Sequence, residues 1–171
     1  RGALTRVGEY FRTSGQDSPY AEDPYISQGT ELACRKNFHI LFTDGLWNQD
    51  SGFSSGGNLD SISTDLPDGK TYTSRAPYRD SYQNTLADVA FKYWATDLRS
   101  DLGNTVAPQI TDRSGDATAQ YWNPKNNPAT WQNLVNYPIG LGLGSFLIDP
   151  AWGGSTYTGD YSALAGGSKS W

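Results

Sequence analysis

The run Phe38-His39-Ile40-Leu41-Phe42-Thr43, closed by Asp44-Gly45, constrains this chain more than any other stretch. Its apolar residues are nearly continuous, which fits a strand buried on both faces of a parallel sheet better than a half-exposed antiparallel strand, where they would alternate. The basic pair Arg35-Lys36 and the Asp44-Gly45 turn mark its ends. Residues 137–143, Tyr-Pro-Ile-Gly-Leu-Gly-Leu, read as a second buried strand whose glycines let neighbouring elements approach.

Two helices frame these strands. Residues 1–12 place Ala3, Leu4, Val7, Tyr10 and Phe11 at spacings of three and four, building one apolar stripe. Arg1 stands where Ser, Thr or Asp would cap such a helix, as expected of a chain cut from something longer. Residues 84–102 form the strongest helical pattern: Leu86, Val89, Ala90, Tyr93, Trp94 and Leu98 repeat on one face, with Asp88, Lys92 and Asp97 mostly away from it. Thr85 and Asp88 have the spacing of a capping box, so the helix is expected to start there. Pro128 is expected to open a short helix over 129–135.

The rest is read as loops: 13–34, 103–127 and the tail 149–171. Residues 45–80, rich in Gly, Ser, Asp and Pro, are too long for a simple connection, and such inserts are usually functional or disordered. Lys70 to Thr73 after Pro67-Asp68-Gly69 could form a hairpin arm inside the insert. Helix, strand, long insert, helix, strand is the order of an α/β sheet wound with right-handed crossovers, although two strands are too few to make one alone.

At 171 residues there is room for one domain with a real core. The net charge is −5 and the 13 Lys and Arg are scattered, which argues against nucleic acid as a partner, since phosphate binding needs clustered cations. An acidic, aromatic-bearing surface suits divalent cations, sugars or a protein partner, as well as plain solubility. No apolar run approaches the roughly 18 residues needed for a membrane span. Cys34 is the sole cysteine, so it is either a buried apolar thiol or its partner lies elsewhere.

Ligands of open α/β sheets collect at the carboxyl ends of the strands, which makes Asp44 the first site candidate. Gly45 beside it leaves room for an incoming group. Hard divalent cations such as Mg²⁺ take oxygen ligands and keep waters, so one Asp with hydroxyls from other loops can suffice. A bare Thr-Asp-Gly triplet more often caps a turn. His39 could transfer a proton, but no nucleophile in an elbow context accompanies it, which favours a histidine satisfied by its surroundings. Asp50, Asp60, Asp65, Asp112 and Asp116 could be paired for glycoside chemistry, yet all lie in turn-prone sequence. Trp47, Trp122, Trp131, Trp152 and Trp171 lie in or beside loops, where packing onto the sheet competes with sugar or protein contact; Trp94 belongs to the helix stripe.

The segments CRKNFHILFTDGLWN, YQNTLADVAFKYWATDLR and NYPIGLGLG, together with the opening RGALTRVGEYF, resemble the N-terminal region of the PilC/PilY-type proteins of type IV pilus tips. The match runs from Arg1 to about Gly144, and the combination at these spacings is far more specific than any one segment. The resemblance implies a von Willebrand factor A-like fold, α/β and Rossmann-type with a mostly parallel sheet and flanking helices, carrying a metal-ion-dependent adhesion site. In that fold an Asp-x-Ser-x-Ser motif, a loop Thr and a later Asp hold the metal. Asp44 matches the last of these, which reaches Mg²⁺, or Ca²⁺ or Mn²⁺, through water. Asp60 is followed at the motif's offsets by Ile62 and Thr64, and Asp50 by Gly52 and Ser54, so neither supplies the rest.

The resemblance therefore implies an incomplete domain over 1–171 with a long insertion at about 45–80, missing segments that complete the metal site, and Cys34 as half of a disulfide to one of them. It further implies an extracellular, non-enzymatic adhesion and pilus-assembly module at the bacterial surface. Its partners would be minor pilins or other tip components, and a host-surface protein or glycan. A purely structural docking subunit without metal, and a secreted glycan hydrolase, are the rival readings.

Overall fold

The computed structural model describes residues 1–23, 29–43, 54–141, 151–153 and 156–169. Among them are helices α1 (Gly2–Tyr10), α2 (Leu86–Ala95), α3 (Ala117–Tyr121) and α4 (Gly159–Gly166), and strands β1 (Asn37–Thr43), β2 (Thr64–Asp65), β3 (Thr71–Tyr72), β4 (Leu134–Gly140), β5 (Ala151–Gly153) and β6 (Thr156–Thr158). The chain is mixed α/β. β1 and β4 pair in parallel, from Asn37 opposite Leu134 to Thr43 opposite Gly140.

α2 begins where the capping box puts it. Asp88 N–H donates to Thr85 Oγ1 (3.1 Å), and Asp88 Oδ2 accepts from Thr85 N–H (2.7 Å). Two orphan donors of the first turn are thereby satisfied. Asp88 Oδ1 also accepts from Leu59 N–H at 2.6 Å, tying the insert to the helix. Asp88 is therefore fully buried, contrary to its expected place off the apolar stripe. The helix ends at Ala95 instead of running to 102, because Thr96 turns to extended backbone.

Val89 and Tyr93 of α2 pack with Leu4 of α1, Leu98 and Leu134. Gly8 lets α1 lie directly on α2, since a Cβ there would run into the Tyr93 ring. Tyr93 also donates its hydroxyl proton to Glu9 Oε1 at 2.7 Å. The buried α1 stripe is thus Leu4 and Gly8 with Val7 and Phe11 beside them, while Ala3 and Tyr10 face solvent.

A second cluster joins Leu66 and Tyr72 of the insert to Ala95, Ala129 and Trp131. The hairpin arm is real: β2 and β3 pair antiparallel around Gly69, whose φ of +83° suits glycine. The described part of the insert is thus packed structure. Residues 129–133 are irregular where a helix was expected, with Trp131 wholly buried and donating from Nε1 to Trp94 O at 2.8 Å. Three further expectations are corrected. β4 starts at Leu134, three residues early; α3 forms inside the polar 103–127 stretch, with Asp116 Oδ1 accepting from Ala119 N–H; and the tail holds the β5–β6 hairpin and α4. Of the two readings left open for Cys34, its exposure rules out the buried thiol.

The largest departure concerns the sheet. One face of β1–β4 carries Asn37 and Leu134 into the core, but the other exposes Phe38 (48%), Ile40 (57%) and Phe42 (67%) beside Tyr137, Ile139 and Leu141. The burial on both faces expected of these strands is not met: the inward face is buried at Asn37 and Leu134 and half-buried at His39 and Leu41, and the outer face is exposed.

Candidate functional site

Two places could bind something: the carboxyl ends of β1 and β4, and a cavity near the start of β4. At the first, Leu141 N–H donates to Thr43 O (2.8 Å), extending the parallel pairing by one step. Asp44, the predicted metal-linked carboxylate, lies outside the described residues, as do Asp50 and Trp47. Among the described residues no group of three or more His, Cys, Asp or Glu side chains could hold a metal ion.

The cavity, of about 550 Å³, lies between α2, α4, the first residues of β4 and the 60–80 part of the insert. Phe91, Trp94, Tyr121 and Trp122 give it an aromatic wall, continued by Tyr72 and Tyr78. Asp60 and Asp80 also line it. Asp60 is 1% exposed; its Oδ1 accepts from Asp80 N–H (3.3 Å) and Ser61 Oγ (3.2 Å), while its Oδ2 has no hydrogen-bond partner. Burial, reinforced by the negative charges of Asp80 and Asp88, pushes its carboxyl up to about 6.

The other sequence candidates have structural roles. His39 Nδ1 is hydrogen-bonded to Asn136 Oδ1 (3.0 Å), its neighbour across the strand pair, so this histidine is satisfied in place. Asp65 accepts from Thr71 Oγ1, Asp112 accepts from Ser114 in a turn, and Asp116 caps α3, so these three are held by their local backbone and neighbours. Trp122 lines the cavity and Trp131 is core; Trp171 lies outside the described residues.

Sequence reasoning missed Arg99. Its guanidinium is 2% exposed and clamps two carboxylates, Glu31 at 2.7 Å through Nη1 and Nη2 and Asp101 at 2.8 and 2.7 Å through Nε and Nη2. Nη1 also donates to Thr13 O and Ser18 Oγ, both at 3.0 Å. Arg99 holds Glu31 and Asp101 below the usual carboxylate range through these hydrogen bonds. The Asp-Leu-Arg-Ser-Asp spacing of 97–101 was the available signal, an arginine flanked by acids just past a helix.

No family model matches the sequence, and no solved structure does. Curated proteins do: type IV pilus biogenesis factor PilY1 of Pseudomonas aeruginosa strain PAK is 51% identical over 172 aligned residues, and its counterparts in strains PAO1 and UCBPP-PA14 are 48% and 43% identical. This chain is similar to a segment of PilY1. The alignment takes in 100% of the chain for the first two proteins and 99% for the third, but the chain spans only 15%, 15% and 14% of their lengths. The alignment to PilY1 thus spans the α2 core, the cavity and the sheet alike. The von Willebrand factor A-like fold is not among these findings; a mixed α/β chain with a parallel strand pair is. No helix among the described residues is long and apolar enough to cross a membrane.

Proposed function

We propose that this chain is a module for type IV pilus biogenesis, working at the bacterial surface as part of a von Willebrand factor A-like domain. The observation that carries the reading is identity to PilY1 of about half across the whole chain. The module docks onto pilus components, minor pilins among them, and the exposed sheet face is where further polypeptide of the same domain packs. Contiguous exposed apolar surface of this kind marks an interface, and parallel sheets are ordinarily covered on both faces.

The finer reading adds adhesion. In it Asp44, at the carboxyl end of β1, anchors Mg²⁺, Ca²⁺ or Mn²⁺ through water, and the loops around it bind a host-surface protein or glycan. Asp44 is one ligand; the others would have to come from outside this chain. The second reading is structural docking of the same module without metal. Hydrolysis of a glycan draws no support from Asp60, Asp112 or Asp116, which are buried or engaged in turns and caps.

The test is a chimera in which this chain replaces the matching segment of PilY1 in the PAK strain. Restored surface piliation is the expected result, and loss of pili with a stable, exported chimera would contradict it. Asp44→Ala in the same chimera separates the finer readings: lost divalent-dependent adhesion with pili intact supports the metal, and unchanged adhesion supports docking alone.

A further inference from the structure

We propose that the aromatic cavity beside α2 is a binding site for a basic side chain, a guanidinium or ammonium on its aliphatic stem, presented by a peptide partner. The site goes beyond the pilus reading: it is built around the start of β4, whereas Asp44 follows the carboxyl end of β1.

Three observations converge on a cation. First, the described charged side chains that line the cavity are both carboxylates, Asp60 and Asp80, in a chain of net charge −5. An anion would be repelled, and a neutral apolar occupant would desolvate these groups without compensation. Second, Asp60 Oδ2 is buried with no donor, so the protein leaves part of that charge unanswered. Its oxygen is shut away from solvent and acts on an occupant through its field, which low-dielectric walls strengthen. Asp80, half-buried, also lines the cavity, and its Oδ1 accepts from Tyr82 N–H. Third, the rings of the wall already attract cations. Lys70 Nζ sits 4.4 Å from the Tyr121 centroid, and Arg75 Cζ sits 4.0 Å from that of Trp122. Both rings also line the cavity, and with Trp94 and Phe91 they offer π faces to a second cation inside it. Leu134 and Pro128 supply apolar surface for the methylene stem. A volume of about 550 Å³ is in the range of small-ligand sites and admits a side chain with its flanking peptide units.

The experiment titrates the 171-residue chain with N-acetyl-arginine methylamide and follows the indole N–H resonances of Trp94 and Trp122 by NMR. The neutral isostere N-acetyl-citrulline methylamide and free arginine serve as controls. Saturable shifts with the capped arginine are expected, with citrulline weaker by about tenfold or more, the worth of one cation–π or charged contact. Asp80→Asn, which keeps an acceptor for Tyr82 N–H, should bring arginine down to the citrulline level and leave citrulline unchanged. Ala87→Leu, on an exposed lining position of α2, should block both. Equal binding of arginine and citrulline, no saturable shift, or binding that survives Ala87→Leu in a folded variant would overturn the proposal. Free arginine binding more than about tenfold tighter than the capped form would overturn the peptide source.

Discussion

The two sides of the β1–β4 sheet obey different rules. On the α2 side Leu4, Val89, Tyr93, Leu98 and Leu134 pack together, and two buried charged residues have partners: Asp88 closes a capping box, and Arg99 meets two carboxylates, a hydroxyl and a carbonyl. On the outer side Phe38, Ile40 and Phe42 stand in solvent with Tyr137, Ile139 and Leu141, Phe38 and Tyr137 touching at 6.1 Å between ring centroids. The same strands carry both faces, so the difference is not one of local propensity. It teaches that the apolar pattern of these strands suits a sheet covered twice, and that the described residues cover one side.

If the α2 side is the self-sufficient half, damage there should be severe. Trp131→Ala removes a fully buried side chain and its hydrogen bond to Trp94, and should cost about 4 kcal/mol in denaturant unfolding. A loss below about 1 kcal/mol would mean this half is loosely packed. Arg99→Met comes next, at about 3 kcal/mol, the low end for breaking a buried pair, because Asp101 and part of Glu31 can hydrate once released.

Asp60 sharpens the comparison through pH. Its carboxyl is raised to about 6 in the folded chain, so the folded state takes up a proton before the unfolded one does. The stability it contributes is present below about pH 4 and is lost as pH rises through about 6. Asp60→Asn should therefore stabilise the chain by about 1–2 kcal/mol near neutral pH, with the gain fading toward about pH 4 in paired thermal melts. A gain independent of pH would show that packing, not charge, is responsible. The smallest effect belongs to the outer face: Phe42→Ser, at 67% exposure, should change the stability of the isolated chain by less than about 0.5 kcal/mol. A loss as large as that at Trp131 would erase the distinction between the two sides.

Much of the closed half was legible because its signals are local. The capping box at Thr85-Asp88, the Tyr93 stripe and the hairpin around Gly69 follow from spacing within a few residues, as does the strand character of β1. What was not legible depends on distant partners. Arg99 bonds across 68 residues to Glu31 and 86 to Thr13, and Trp131 is fixed by a carbonyl in α2, so neither could be placed by periodicity. Residues 129–135 looked helical because Pro128 suits a first turn, but burial of Trp131 and early pairing of Leu134 override that preference. The nearly unbroken apolar run of β1 correctly announced a parallel strand. It could not announce that one face would stand exposed among the described residues. The cavity went unseen because its walls come from segments as far apart as Asp60 and Leu164.

The central claim, that the outer sheet face is an interface completed by further polypeptide, is most directly tested by thiol labelling at Ile40→Cys in a Cys34→Ser background. The labelling is measured in the isolated chain and in PilY1 carrying this chain in place of its matching segment. Ile40 is 57% exposed, so the cysteine should react with a maleimide rapidly in the chain alone. Within the PilY1 chimera the account predicts strong protection, and equal labelling in both contexts would contradict it.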